Sequence, residues 1–278
     1  TVPPAVSVYT SGGGRITRDP TGNGYWMVEP SGRVHSYGSA RSFGDAAVGG
    51  NAAVAIVSSA SGGGYRVLAS DGAMFNFGDA QSYGGANDGR LRSDAAVGLA
   101  STPTGLGYWI LSATGGVFGY GDAQGYGAAN DGVLRGDTVV SITSTPSGRG
   151  YWILSRTGGV FSYGDATSYG APNTGPLGSD SAVMLAATPR GRGYWMLSRT
   201  GGVFSYGDAE AYGAANTSTT LAGNFAAGIA PTPTGHGYLI MAIDGAIFSF
   251  GDSVYRGAFN PSGADDSLGS GGILRPGG

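Results

Sequence analysis

The chain contains no cysteine and no lysine, and among its 278 residues there are only two histidines and two glutamates. Without thiols it has neither a disulfide framework nor a thiolate nucleophile or metal ligand. The missing lysine excludes a Schiff base. No His or Cys pair has metal-ligand spacing, and no Gly-x-Ser-x-Gly elbow occurs. His35 and His236 lie 201 residues apart, too far to suggest a local motif. The apolar runs are short: Ala182–Ala187 is typical and cannot cross a bilayer. All 15 basic residues are arginines, unclustered, and the net charge is −3, so nucleic acid is excluded as an expected partner.

What the chain has in excess is glycine, 56 residues, alongside 41% hydrophobic residues, 16 Tyr and 10 Phe. Collagen would need a strict Gly-X-Y period, and a disordered linker would not carry so many aromatics. The composition is that of a folded protein with many tight turns. The opening "TVPPAVSV" reads as a processed start. With low charge, abundant Gly, Ser and Thr, and neither Lys nor Cys, it sets the expectation of an extracellular, secreted protein.

The phrase "RTGGVFSYGDA" occurs twice, at Arg156–Ala166 and Arg199–Ala209. It belongs to a longer repeat. Gly-Tyr before a hydrophobic run recurs with its Tyr at 25, 65, 108, 151, 194 and 238, spacings of 40, 43, 43, 43 and 44. Six units follow, roughly 13–50, 51–93, 94–136, 137–179, 180–223 and 224–278, within a single domain. One unit reads as four strands joined by Gly-rich turns: "TVVSITS" (Thr138–Ser144), "YWILS" (Tyr151–Ser155), "VFSY" (Val160–Tyr163) and a short "TSYG" (Thr167–Gly170). In the second strand Tyr151 and Ile153 point one way, Trp152 and Leu154 the other. Both faces are apolar and both need cover. A blade between two neighbouring blades supplies it, and the small residues of the first strand suit a crowded axis. The expected fold is all-β: a six-bladed β-propeller with four antiparallel strands per blade. Ring closure has two candidates, the N-terminal "VSVYTSG" (Val6–Gly12) and the C-terminal "GGILRP" (Gly271–Pro276).

Four repeated positions offer chemistry. Asp79, Asp122, Asp165, Asp208 and Asp252 follow a Gly at one turn, where the first copy has Ser39. The leading reading is a turn carboxylate that accepts backbone N–H bonds. The alternative is a ring of carboxylates for calcium or sugar hydroxyls, although one Asp per site is thin for Ca²⁺. Trp26, Trp109, Trp152 and Trp195 align, with Arg66 and Leu239 in the other two copies. They are blade-to-blade core or, alternatively, stacking platforms for a sugar ring. Arg149 and Arg192 share one turn position with His236, Leu106, Asn23 and Gly63, while Arg156 and Arg199 share another. An Arg beside an aromatic and an Asp can hold hydroxyls or a carboxylate. The candidate ligand residues are therefore Trp109, Trp152, Trp195, Arg156, Arg199, Asp122, Asp165 and Asp208, with the fourth and fifth units foremost. Asn87, Asn130, Asn173, Asn216 and Asn260 recur as turn residues. No catalytic residue and no metal site is assigned. Asp137 and Asp180 read as unrepeated, and they are the carboxylates a glycosidase would need.

At "GYWILSRTGGVFSYGDATSYGA" (Gly150–Ala171) the chain resembles a propeller repeat of secreted actinobacterial proteins. Those repeats run Gly-Tyr-Trp, two hydrophobics, a turn, then Gly-Gly-Val-Phe-x-Tyr/Phe-Gly-Asp-Ala. The resemblance implies a propeller that accompanies wall hydrolases, esterases or proteases as a targeting module. It carries over no ligand residues, and the first two copies depart most, with Ser39 and Arg66. Lectin propellers are a looser likeness. Sialidases are not: "SDGAMF" (Ser70–Phe75) and "IDGAIF" (Ile243–Phe248) put Gly directly after Asp, unlike an Asp-box. The expected function is non-enzymatic, multivalent binding of cell-surface or wall glycans, with no cofactor unless the Asp ring takes calcium. The alternatives are a protein-interaction scaffold within a secreted assembly and, behind it, a polysaccharide-active enzyme.

Overall fold

Small and β-branched residues line the first strand of each repeat, large apolar ones fill the second, and aromatics alternate with polar residues in the third. The computed structural model describes residues 14–216, 221 and 224–259. It arranges these segments as six antiparallel sheets of three strands. Blade 1 holds β1 (Ile16–Arg18), β2 (Gly24–Val28) and β3 (Val34–Gly38), and blade 2 holds β4 (Ala53–Ser58), β5 (Gly64–Ala69) and β6 (Met74–Gly78). Blade 3 holds β7 (Ala96–Ser101), β8 (Gly107–Ser112) and β9 (Val117–Gly121), and blade 4 holds β10 (Val139–Ser144), β11 (Gly150–Ser155) and β12 (Val160–Gly164). Blade 5 holds β13 (Ala182–Ala187), β14 (Gly193–Ser198) and β15 (Val203–Gly207), and blade 6 holds β16 (Ala226–Pro231), β17 (Gly237–Ala242) and β18 (Ile247–Gly251). The inner strands touch in ring order, and β1 meets β16. This is the six-bladed propeller.

Every residue of the middle strands β5, β8, β11, β14 and β17 is buried. Strand β11 shows why. Tyr151 and Ile153 pack with Trp109 and Leu111 of blade 3, while Trp152 and Leu154 pack with Tyr194 and Met196 of blade 5. Alternation along one strand thus serves two interfaces, each buried large side chain contributing roughly 1.5–3 kcal/mol. The inner strands carry a further device. In β4, β7, β10, β13 and β16 the register slips by one residue, leaving Val54, Val97, Val140, Val183 and Ala227 as bulges. These five are only partly buried and lie around the central axis.

Among the described residues the fourth strand of the expected blade does not form. Gly164 sits at φ +67, where a Cβ would press on Arg149 O, and it swings the chain off the sheet after β12. The outer segment is instead held by two side chains. The Trp152 indole Nε1 donates to Thr167 O at 2.8 Å. The Tyr194 hydroxyl, from the next blade, accepts from Tyr169 N (3.1 Å) and donates to Gly170 O (2.6 Å). The segment is a strap from one blade to the next. The same strap closes the ring, since Tyr25 accepts from Arg256 N (3.1 Å) and donates to Gly257 O (2.5 Å). Both segments proposed for closure, Val6–Gly12 and Gly271–Pro276, lie outside the described residues, as does Asn260.

Candidate functional site

Each middle strand runs from one face of the ring to the other, so the residues before and after it lie on opposite faces. The turn face carries the Gly-Asp turns. The linker face carries the turns between second and third strands and the linkers between blades. Arg149 precedes β11 and Arg156 follows it, which at ~3.3 Å per residue puts them roughly 20 Å apart.

On the turn face the recurrent aspartates are exposed, and their partners are hydroxyls rather than the expected backbone N–H groups. Asp122 accepts from Thr102 (2.8 Å) and Thr104 (2.5 Å), Asp165 from Thr145 (2.9 Å) and Ser147 (2.5 Å). Asp208 accepts from Thr188 at 2.7 Å, and Arg190 stands where a second hydroxyl would be. Asp252 is held by Thr232 and Thr234, and Asp79 by Ser61. In blade 1 the partners exchange places: Asp19 occupies the hydroxyl position, Ser39 the Asp position, and Ser39 donates to Asp19. A Thr-Pro-x-Gly phrase 20 residues before Asp122, Asp165, Asp208 and Asp252, with Ser59-Ala60-Ser61-Gly62 before Asp79, was the sequence signal for this pairing.

The tryptophans settle as core. Trp109, Trp152 and Trp195 are 0% exposed, as is Trp26, and each packs on the Tyr of the next blade with ring centroids 5.5–5.8 Å apart. No indole face is open to a sugar ring, which corrects the stacking-platform expectation. Their Nε1 groups hold the carbonyls of Arg41, Gln124, Thr167 and Glu210.

Arg156 and Arg199 lie on the linker face, separated by the length of a strand from Asp122, Asp165 and Asp208. Arg156 Nε donates to Thr138 Oγ1 (3.3 Å), and the Arg199 guanidinium lies 3.8 Å over the Phe225 ring. Those five residues therefore do not form one pocket. Arg149 is the arginine beside Asp165, its Nε 4.0 Å from Oδ2. Next to it, Tyr126 of blade 3 reaches across the junction and donates to Gly148 O at 3.2 Å. Tyr169 and Tyr212 repeat this contact with Gly191 O and Gly235 O. Of these partly exposed tyrosines, overlooked in the sequence, Tyr126 brings an aromatic, an arginine and an aspartate together at a blade junction; Tyr169 has Arg192 and Asp208 in the equivalent positions, and Tyr212 has His236 and Asp252.

The linker face has its own acidic position. Asp137 is not unrepeated. Asp94, Asp137 and Asp180 occupy equivalent sites two residues before an inner strand, where Asn51 and Asn224 stand in two other blades. Asp137 accepts from Thr138 N, Thr157 N and Thr157 Oγ1. Burial pushes all three carboxyls up, but hydroxyl and backbone N–H bonds outweigh it and leave them below the usual value. Of the repeated asparagines, Asn87 and Asn173 fall inside short 3-10 turns and Asn130 in a turn, as expected.

One acid–base pair breaks the symmetry. His35, in the place of a repeat Phe, stands 2.6 Å from Glu29 and stacks on Phe259 at 4.3 Å. It lies at the seam between blades 6 and 1. Among the described residues no group of three or more His, Cys, Asp or Glu side chains could hold a metal ion, and no helix is long and apolar enough to cross a membrane.

No protein-family model matches the chain, and no curated protein sequence matches it. Among solved structures it is similar to the β-propeller domain of Cps50 (Swd1) from Myceliophteria thermophila, with a TM-score of 0.55 and 10% identity over 90% of this chain and 86% of that one. The likeness is one of fold. The chain is a six-bladed β-propeller, and its described residues form strands and two short 3-10 turns but no α-helix.

Proposed function

We propose that the protein is a non-enzymatic, extracellular recognition propeller that binds cell-surface or wall glycans weakly at several blade junctions. The supporting observation is the junction on the turn face where Tyr126, Arg149 and Asp165 meet. It offers an apolar ring edge, a cation and an acceptor already oriented by Thr145 and Ser147. That is the combination that recognises hydroxyl-rich ligands. A protein-binding face would want an apolar centre, and among the described residues this face exposes Leu106 and Val254 alone as large hydrophobics. Repetition around the ring adds affinity through effective concentration.

A screen of glycans and bacterial wall polysaccharides, with and without calcium, tests this reading. Binding that free sugar displaces, that Arg149→Ala and Asp165→Asn weaken and that Arg156→Ala leaves alone would support it. Silence across the screen would sink it. Dependence on calcium would move the turn aspartates from hydroxyl acceptors to metal ligands. The second reading, a docking scaffold for a protein of a secreted assembly, draws on the propeller likeness and on the exposed Val133 and Ile243 of the linker face.

A further inference from the structure

At the linker-face end of the central channel the five bulge residues leave a cavity of 280 Å³. Its wall is apolar: Val54, Val97, Val140, Val183, Ala227 and the Met184 thioether all line it. One charged group shares that wall, Arg15. The counterparts of Arg15 in the other blades are Ala55, Gly98, Ser141, Met184 and Gly228, none of them charged. Two of these counterparts have evident jobs. The Ser141 hydroxyl accepts from Leu185 N and the Met184 sulfur from Ile229 N, stitching neighbouring inner strands.

Arg15 makes no such stitch. Its side chain has no hydrogen bond, ion pair or ring contact among the described residues, while its backbone carbonyl takes the ordinary bond from Val28 N. Glu29, the acid at the far end of the paired strand, is taken up by His35. Burial alone pulls the Arg15 guanidinium below its usual value, with no nearby anion to oppose it. A partly buried cation without a partner is costly in an apolar wall, and it has five N–H donors in a planar fork.

We infer that the linker-face mouth of the channel is a binding site for a carboxylate carried on a short apolar stem, with Arg15 holding the carboxylate and the bulge valines the stem. A guanidinium fork matches a carboxylate in two parallel hydrogen bonds. The five bulge side chains, brought to the axis by one repeated device, suit a narrow aliphatic chain better than a bulky ring. The site is independent of the turn-face junctions, since it opens on the other side of the ring.

Calorimetric titration of the full chain with hexanoate, with hexanamide as the uncharged analogue and with inorganic phosphate, tests the assignment. Hexanoate should bind, hexanamide should bind at least about tenfold more weakly, and Arg15→Met should cost hexanoate a similar factor. Because Arg15→Met removes an unpaired charge, it should fold with an unchanged or raised melting temperature. A Val140→Trp variant, which fills the mouth, should abolish binding while leaving Arg15 in place. No hexanoate binding to the unaltered protein, equal binding by Arg15→Met, or phosphate bound more tightly than hexanoate would each overturn the inference. Glycan binding in the screen above should be unaffected by Arg15→Met, so the two readings fail separately.

Discussion

Four blades fasten their outer strap with a tryptophan, and two do it with an arginine. In blades 1, 3, 4 and 5 the indole fills the space before the next blade's tyrosine and donates to a carbonyl 15 residues on. In blade 2, Arg66 occupies the same position, its Nε donating to the equivalent carbonyl, Gln81 O, at 3.2 Å. Its Nη2 donates to Gly105 O, and its Cζ lies 5.4 Å from the Tyr108 ring centroid. Blade 6 uses a borrowed arginine. Leu239 leaves the space short, and Arg18 of blade 1 reaches into blade 6, donating to Ala230 O (3.2 Å) and Ser253 Oγ (2.5 Å). Ser253 stands where the other blades have alanine, and Arg18 where they have Ser, Ala or Pro. The fold thus requires a flat group with an N–H at one place. It does not require a tryptophan.

The largest effect should come from removing that group outright. Trp152→Ala should cost roughly 3–5 kcal/mol in denaturant unfolding, whereas Trp152→Arg should lose clearly less; equal losses would break the equivalence. At the seam, Arg18→Ser should cost roughly 1–3 kcal/mol by leaving buried acceptors unpaired. Adding Leu239→Trp and Ser253→Ala to it should recover most of that loss, because the triple variant rebuilds the common junction. A triple variant no better than the single one would show that the seam is not an ordinary junction.

High pH sharpens the comparison from the tyrosine side. Burial holds the hydroxyl of Tyr25 up to about 12, and those of Tyr65, Tyr108, Tyr151, Tyr194 and Tyr238 above their ordinary value. A raised acid keeps its proton longer folded than unfolded, so this stability is complete below the ordinary tyrosine value and is lost above it. Arg18, lowered by burial to about 10, works in the opposite sense at the seam, as do Arg15 and Arg66, which burial also lowers. Circular dichroism should therefore report unfolding between about pH 10 and 12, coincident with phenolate absorbance; full structure at pH 12 would contradict the strap. The smallest effect is expected in blade 1. Ser39→Asp alone sets a second carboxylate against Asp19 and should cost about 1 kcal/mol, while its combination with Asp19→Thr should be nearly neutral.

Blade number and strand faces were legible because a 43-residue period and a two-residue alternation are both written in the chain itself. The strap was not. "TSYG" has the composition of a strand, and only the positions of Trp152 and Tyr194 on neighbouring blades show that it is pulled out of the sheet. The same is true of the site. Arg156, Asp165 and Trp152 sit within one repeat, and counting along the repeat cannot tell which face each residue reaches. Once β11 is seen to span the ring, Arg149 replaces Arg156 beside Asp165, and Tyr126 replaces Trp152 as the exposed aromatic. Asp137 and Asp180 share with Asp94 a Leu-x-x-Asp phrase at 43-residue spacing, a fainter signal than Gly-Tyr because only its two ends are kept. Arg15, one residue ahead of β1, showed no signal at all until the axis around it was built.

The strap also bears on how such a chain is made. Each inner unit offers a tyrosine behind and a carbonyl-bearing segment ahead, so these copies fit after one another without a new surface, while blade 6 is matched to Arg18. Unequal recombination in steps of one repeat would add or delete a unit and leave every junction chemically familiar. The number of units is then limited by geometry alone, by the count at which the last segment arrives at Tyr25. Ring size in this architecture is a matter of arithmetic, and sequence drift is free to work on the two faces.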